Sequence, residues 1–123
     1  MSNRKDIWFQ CETIIHSQAT FKEKMQAICN FLGSQMPAYD WVGFYLSDVK
    51  NKKLHLGPFY GEPTEHTSIS YGKGVCGQAA ESQKTFVIDD VAEEKNYIPC
   101  SIQVKSEIVV PIIKKQIVVG QID

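Results

Sequence analysis

The apolar pattern of this chain changes period at Pro37, and that change limits the folds open to it. Before Pro37 the apolar residues recur at helical spacing; after it they alternate or run in short blocks broken by glycine. Ile7, Cys11 and Ile15, with Trp8 and Ile14 beside them, fall on one helical stripe. A second helix is predicted to open at Thr20, where Thr20-Phe21-Lys22-Glu23 has the capping-box pattern. There the Thr hydroxyl and the Glu carboxylate satisfy backbone N–H groups that a helix start leaves open. The apolar face of that helix is Phe21, Met25, Ile28, Cys29, Leu32 and Met36, and Pro37 closes it. Cys11 and Cys29 lie on these apolar faces and read as packing thiols.

Beyond Pro37 the sequence predicts strands. Trp41-Val42-Gly43-Phe44-Tyr45-Leu46 and Lys53-Leu54-His55-Leu56 read as an antiparallel pair joined by a polar turn over 47–52. A loop holding Gly57-Pro58 and Gly61-Glu62-Pro63 follows, then a short strand around 67–70. Gly72-Lys73-Gly74 breaks it, a short helix covers 75–82, and 85–88 is a strand. The polar stretch 89–101 is a loop of the length that tends to carry function. A last hairpin joins 106–113 to 116–123 across Lys114-Lys115. The expected fold is α+β: a mostly antiparallel central sheet flanked by helices, in one domain over 1–123. A chain of 123 residues buries roughly two-thirds of its unfolded surface, enough for a core without staples. The chain stops within what reads as an apolar strand, so a domain cut short in its C-terminal strand is expected.

Charge and cysteine usage narrow the function classes. Thirteen basic residues stand against fourteen acidic ones, for a net charge of −1. That balance offers no footprint for nucleic acid or for an anionic membrane. The N-terminus has no signal-peptide pattern. The most apolar run, 108–113, is broken by Pro111 and far shorter than the ~20 residues of a membrane span. A cytoplasmic protein is expected. Four cysteines and three histidines show neither Cys-x-x-Cys nor His-x-x-x-His spacing, so neither a zinc site nor a cofactor is expected.

Several residues stand out locally. Cys76 lies near the start of a predicted helix with Lys73 close by, a setting that favours a reactive thiolate. The other reading is a small buried thiol where glycine-rich backbone packs closely. Cys100 sits in a polar loop after Pro99 with no apolar periodicity around it, which core thiols rarely do. Glu107 shares a strand face with Val109, so its carboxylate needs a partner or a pocket unless the strand start is solvated. Trp41 and Tyr45 would face one side of a strand, as core or as a pocket wall. His66 reads as a loop histidine able to supply a proton.

Taken in order, Trp41-Val42-Gly43-Phe44-Tyr45-Leu46, Leu56-Gly57-Pro58-Phe59, Gly72-Lys73-Gly74-Val75-Cys76-Gly77-Gln78-Ala79, Ile98-Pro99-Cys100 and Ser106-Glu107-Ile108-Val109-Val110-Pro111 carry a family resemblance. Over 41–123 the chain resembles the free methionine-(R)-sulfoxide reductases, enzymes built on a GAF domain. The resemblance implies a GAF-like fold and thiol chemistry on free methionine sulfoxide. It gives Cys100 the nucleophile's place and Cys76 that of the thiol which closes a disulfide, reduced in turn by thioredoxin. Glu107 and Asp123 take the place of pocket carboxylates that engage the sulfoxide or the amino group. Trp41 and Tyr45 take that of aromatic walls around the methyl end. A homodimer is implied as well. The chain departs from the full pattern at His66, where other members carry a third cysteine. Expected just past Asp123 is a further carboxylate. A non-catalytic GAF module that binds a small molecule, or a redox switch worked by Cys76 and Cys100, would keep the same fold.

Overall fold

Thr20 starts the second helix as its sequence predicts. Its hydroxyl accepts the Glu23 N–H at 3.2 Å, and the Glu23 carboxylate accepts the Thr20 N–H at 3.0 Å. The computed structural model describes residues 4–89 and 106–123. In these the chain forms α1 (Arg4–Ile15), α2 (Phe21–Gln35), β1 (Val42–Asp48), β2 (Lys53–Tyr60), β3 (Ser68–Ser70), α3 (Gly74–Ser82), β4 (Phe86–Ile88), β5 (Glu107–Lys114) and β6 (Ile117–Ile122). The strands make a single sheet in the order β3-β2-β1-β6-β5-β4, with every described pairing antiparallel. The loop expected over 89–101, apart from Asp89, lies outside the described residues, and Cys100 with it.

The sheet separates two cores. Phe44 and Tyr45 are neighbours on β1 and so face opposite sides. Phe44 packs with Val42 under Met25 and Cys29 of α2. Tyr45 packs with Leu54, Val109 and Val118 under Val75, Cys76 and Ala79 of α3. Burying both faces lets strands as short as these hold together.

The structure departs from the sequence reading in three places. First, β2 does not stop at Leu56 but runs through Gly57-Pro58 to Tyr60. Pro58 has no N–H to donate, yet β3 pairs only with Lys53, Leu54 and His55, so at Pro58 the outer side of β2 needs no donor. Second, the stripe on α1 is only partly covered: Ile7, Cys11 and Ile14 are half-buried, while Trp8 is 66% and Ile15 52% exposed, because α1 rides on α2 rather than on the sheet. Cys11 is accordingly half-buried, whereas Cys29 is fully buried.

Third, the alternation along β6 is broken. Ile112 pairs with Gly120 and Ile113 with Val118, so Val119 is an extra residue in its strand. One extra residue moves all later side chains to the other face. Val118 packs toward α3, and beyond the bulge it is Gln121 and Asp123, not Ile122, that share that side.

Candidate functional site

Three elements bring one polar side chain each to a single point. Cys76 stands in the first turn of α3, Glu107 begins β5, and Asp123 follows the last residue of β6. The start of α3 is pressed close to the preceding loop: a Cβ on Gly77 would come within 2.5 Å of the Ser70 carbonyl, so only glycine fits. Gly72 N–H donates to the Gly77 carbonyl at 2.8 Å and locks that approach. Asp123 is fixed by two backbone bonds with Gly43, at 2.8 and 2.9 Å.

The Cys76 thiol is 5% exposed. Its sulfur lies 3.0 Å from Asp123 Oδ2, to which it donates, and 3.8 Å from Glu107 Oε2, a longer and weaker contact. These partners differ from the activating surroundings expected of a helix start near Lys73. The side chain of Lys73 makes no cap, and the sulfur's contacts with Asp123 and Glu107 are to acceptors. Negative charge on the sulfur is favoured by the helix N-terminus and opposed by the Asp123 carboxylate. Glu107 is held protonated. Burial first, then the Asp123 carboxylate beside it, push Glu107 up to about 10, and the Cys76 hydrogen bond offsets only part of this. Its other oxygen, Oε1, is buried with no hydrogen-bond partner among the described residues.

An aromatic wall stands beside the cluster. Tyr45 is fully buried in the core that contains Cys76, and Trp41 packs against the same core. Their rings are 6.3 Å apart and tilted, and Trp41 stacks on Phe59 at 5.7 Å. The indole lies over Gly43, where any side chain would collide with it. The polar ends of both aromatics are tied to the following loop: Trp41 Nε1 donates to the Glu62 carbonyl at 3.0 Å, and the Tyr45 hydroxyl to the His66 carbonyl at 2.9 Å. His66 thus anchors the wall through its backbone, and its own N–H donates to the Thr64 hydroxyl.

The structure therefore brings together Cys76, Glu107, Asp123, Trp41 and Tyr45. Cys100, and with it the Cys76–Cys100 disulfide, lies outside the described residues. Sequence reasoning missed Gln121. This side chain is fully buried on the site's face of β6, and its Nε2 donates to the Cys76 carbonyl at 2.9 Å. Its Oε1 has no partner among the described residues. An amide inside the apolar run Ile117–Ile122 was the available signal, because a polar side chain in a buried strand must be bonded to something.

A six-stranded antiparallel sheet with α2 on one face and the cysteine-bearing α3 on the other is the fold of a GAF domain. Residues 18–123 match the model of that family, and the chain belongs to it. Within the family it is similar to proteins that bear a more particular name. It is 44% identical over 75 residues to a free methionine-R-sulfoxide reductase of Saccharomyces cerevisiae, covering 60% of this chain and 41% of that one. It is 46% identical over 83 residues to GAF domain-containing protein A of Dictyostelium discoideum, covering 68% and 51%. The chain thus spans about half or less of the length of these relatives. Its fold matches the crystal structure of a free methionine-R-sulfoxide reductase of Neisseria meningitidis with its substrate at a TM-score of 0.92. The two are 31% identical, and the match covers all of this chain and 75% of that one.

Proposed function

We propose that this chain reduces free methionine-(R)-sulfoxide to methionine through a pocket cysteine and recycles that cysteine by a disulfide. The observation that carries the reading is the Glu107 carboxyl beside the Cys76 thiol and next to the Trp41–Tyr45 wall, a carboxyl whose burial favours its protonated form. In this reading the Cys100 thiolate attacks the sulfoxide sulfur while Glu107 gives its proton to the sulfoxide oxygen. Methionine leaves, and the oxygen stays on Cys100 as a sulfenic acid. The Cys76 thiol then attacks the Cys100 sulfur, water departs, and a disulfide remains. A dithiol protein of the thioredoxin type reduces it, so two electrons enter for each methionine formed. The aromatic wall holds the methyl end of the substrate, and Asp123 pairs with its ammonium group.

The same reading makes the protein a cytoplasmic homodimer. No helix among the described residues is long and apolar enough to cross a membrane. The test is a thioredoxin-coupled assay with free methionine-(R)-sulfoxide against the same residue inside a peptide. Turnover of the free amino acid alone is expected. Turnover of the peptide overturns the free-substrate reading, because a pocket that grips the ammonium group leaves no room for a chain. Ligand binding without methionine release under any dithiol favours a sensing module instead, a reading to which His66 in the third cysteine's place lends weight.

A further inference from the structure

Cys76, Glu107 and Asp123 offer one sulfur and two carboxylate oxygens that all lie within 4.8 Å of one another. We propose that these three side chains form a binding site for a thiophilic divalent cation, zinc foremost, which holds the Cys76 sulfur as a metal thiolate. The inference does not need the reductase reading, but it draws on the same three side chains, so a bound dication and sulfoxide reduction exclude each other at this site.

The geometry suits a tetrahedral ion. With metal–sulfur bonds of about 2.3 Å and metal–oxygen bonds of about 2.0 Å, tetrahedral angles place sulfur and oxygen about 3.5 Å apart. The observed separations, 3.0 Å to Asp123 and 3.8 Å to Glu107, lie on either side of that spacing. The donors also come from three separate elements, each held by backbone bonding, so they converge without one loop having to order itself. Among the described residues three side chains supply ligands, one short of a tetrahedral ion's four.

Gln121 supplies an independent observation. It is fully buried, it faces the site, its amide nitrogen is committed to the Cys76 carbonyl, and its oxygen meets no donor among the described residues. Glu107 Oε1 is likewise buried without a donor. Orphaned oxygens in a buried polar site call for a missing donor or cation. Sulfur in the donor set selects zinc, cobalt or cadmium over magnesium and calcium, which take oxygen shells of six or more. Neither the Cys-x-x-Cys nor the His-x-x-x-His pattern marks such a site, because its ligands are far apart in sequence.

The test is a cobalt titration of the reduced full chain, followed by optical absorption. One equivalent should produce a thiolate-to-cobalt charge-transfer band and visible bands of tetrahedral intensity, both bleached by zinc. Cys76→Ser should abolish the charge-transfer band, whereas Cys29→Ser should keep it. Glu107→Gln, which preserves volume, should weaken cobalt binding by at least the roughly tenfold that even an outer-sphere change costs. A charge-transfer band that survives in Cys76→Ser, or weak octahedral bands alone, would overturn the proposal. As a second measurement, one equivalent of zinc should shield Cys76 from iodoacetamide, read by peptide mass. An unchanged alkylation rate at Cys76 would overturn it equally.

Discussion

Among the described residues one buried cysteine covers each face of the sheet, and the two differ in everything but burial. Cys29, on α2, is fully buried among Met25, Val42 and Phe44, and its sulfur donates to the Pro58 carbonyl, at 3.6 Å. Burial pushes its thiol up to about 12. Cys76, on α3, is 5% exposed and has two carboxylates for company. A thiol enclosed by hydrocarbon keeps its proton and does nothing, whereas the same group beside an acid and a carboxylate has proton donors and ligand atoms within reach. Burial therefore says little about a cysteine's role, and the polar atoms within 4 Å of the sulfur say a great deal.

The sharpest way to break this contrast is to replace each sulfur by oxygen. Under the proposed function, Cys76→Ser should end steady-state methionine formation while still releasing one methionine per chain in a single turnover. Cys29→Ser should keep the wild-type rate and lose stability instead, by about 1–3 kcal/mol for a hydroxyl in apolar surroundings. A coupled assay and urea melts of both variants decide the matter. The reverse pattern would place the chemistry on the other face.

Next in size is the acid beside Cys76. Glu107→Gln keeps shape and removes the proton, so methionine release should fall by about 10²–10⁴-fold, the usual contribution of a placed general acid. Stopped-flow single-turnover rates separate this from a defect in recycling. A rate within a few-fold of wild type would leave Glu107 as a binding group only.

Stability against pH distinguishes the two faces a third way. Folded Glu107 keeps its proton far above the pH at which the unfolded chain loses it, about 4.3. The unfolded state thus sheds a proton first as pH rises, and stability, fully present below that value, falls toward the folded group's own titration. The slope is at most about 1.4 kcal/mol per pH unit. Cys29 acts with the same sign, but only above the ordinary thiol value of about 8.5. In chelator, the urea midpoint should therefore fall between about pH 5 and pH 8 in the wild type and not in Glu107→Gln. Above that range both should fall. An equal decline in both at lower pH would assign the effect to some other group.

What was legible in the sequence follows the same division. The face under α2 is written locally: Thr20 and Glu23 mark the helix start, Pro37 its end, and Met25 and Cys29 its buried stripe. The site face depends on contacts far apart in the chain. Cys76 meets Glu107 across 31 residues and Asp123 across 47, and only the family resemblance placed them in one pocket. Strand alternation carried forward from Val118 would have turned Asp123 away from Cys76. The bulge at Val119 turns it back, and Val119 carries no glycine or proline to announce it. Gln121 was hidden for the same reason. The stripe on α1 held only in part: periodicity reported a helix correctly but could not say what it would rest against, so Ile7, Cys11 and Ile14 are half-buried and Trp8 and Ile15 stay exposed.

The smallest expected effect tests whether the two faces are independent. Thr20→Ala removes the hydroxyl that accepts the Glu23 N–H and leaves that donor without its partner. Loss of such a cap costs about 1 kcal/mol, which in a domain of this size lowers the melting temperature by roughly 4 °C. The bonds with Thr20 also hold the Glu23 carboxyl below its usual range. The stability tied to that carboxylate is present at neutral pH and is lost as pH falls. The cap's damage stays on α2, whose buried residues pack with Val42 and Phe44, while Tyr45 and Cys76 lie across the sheet. Changes at sites that share no partners add without coupling. Thr20→Ala should therefore melt earlier yet keep the wild-type KM for methionine sulfoxide at temperatures below its transition. A KM that rises with the loss of the cap would show the sheet passing strain from one thiol's face to the other.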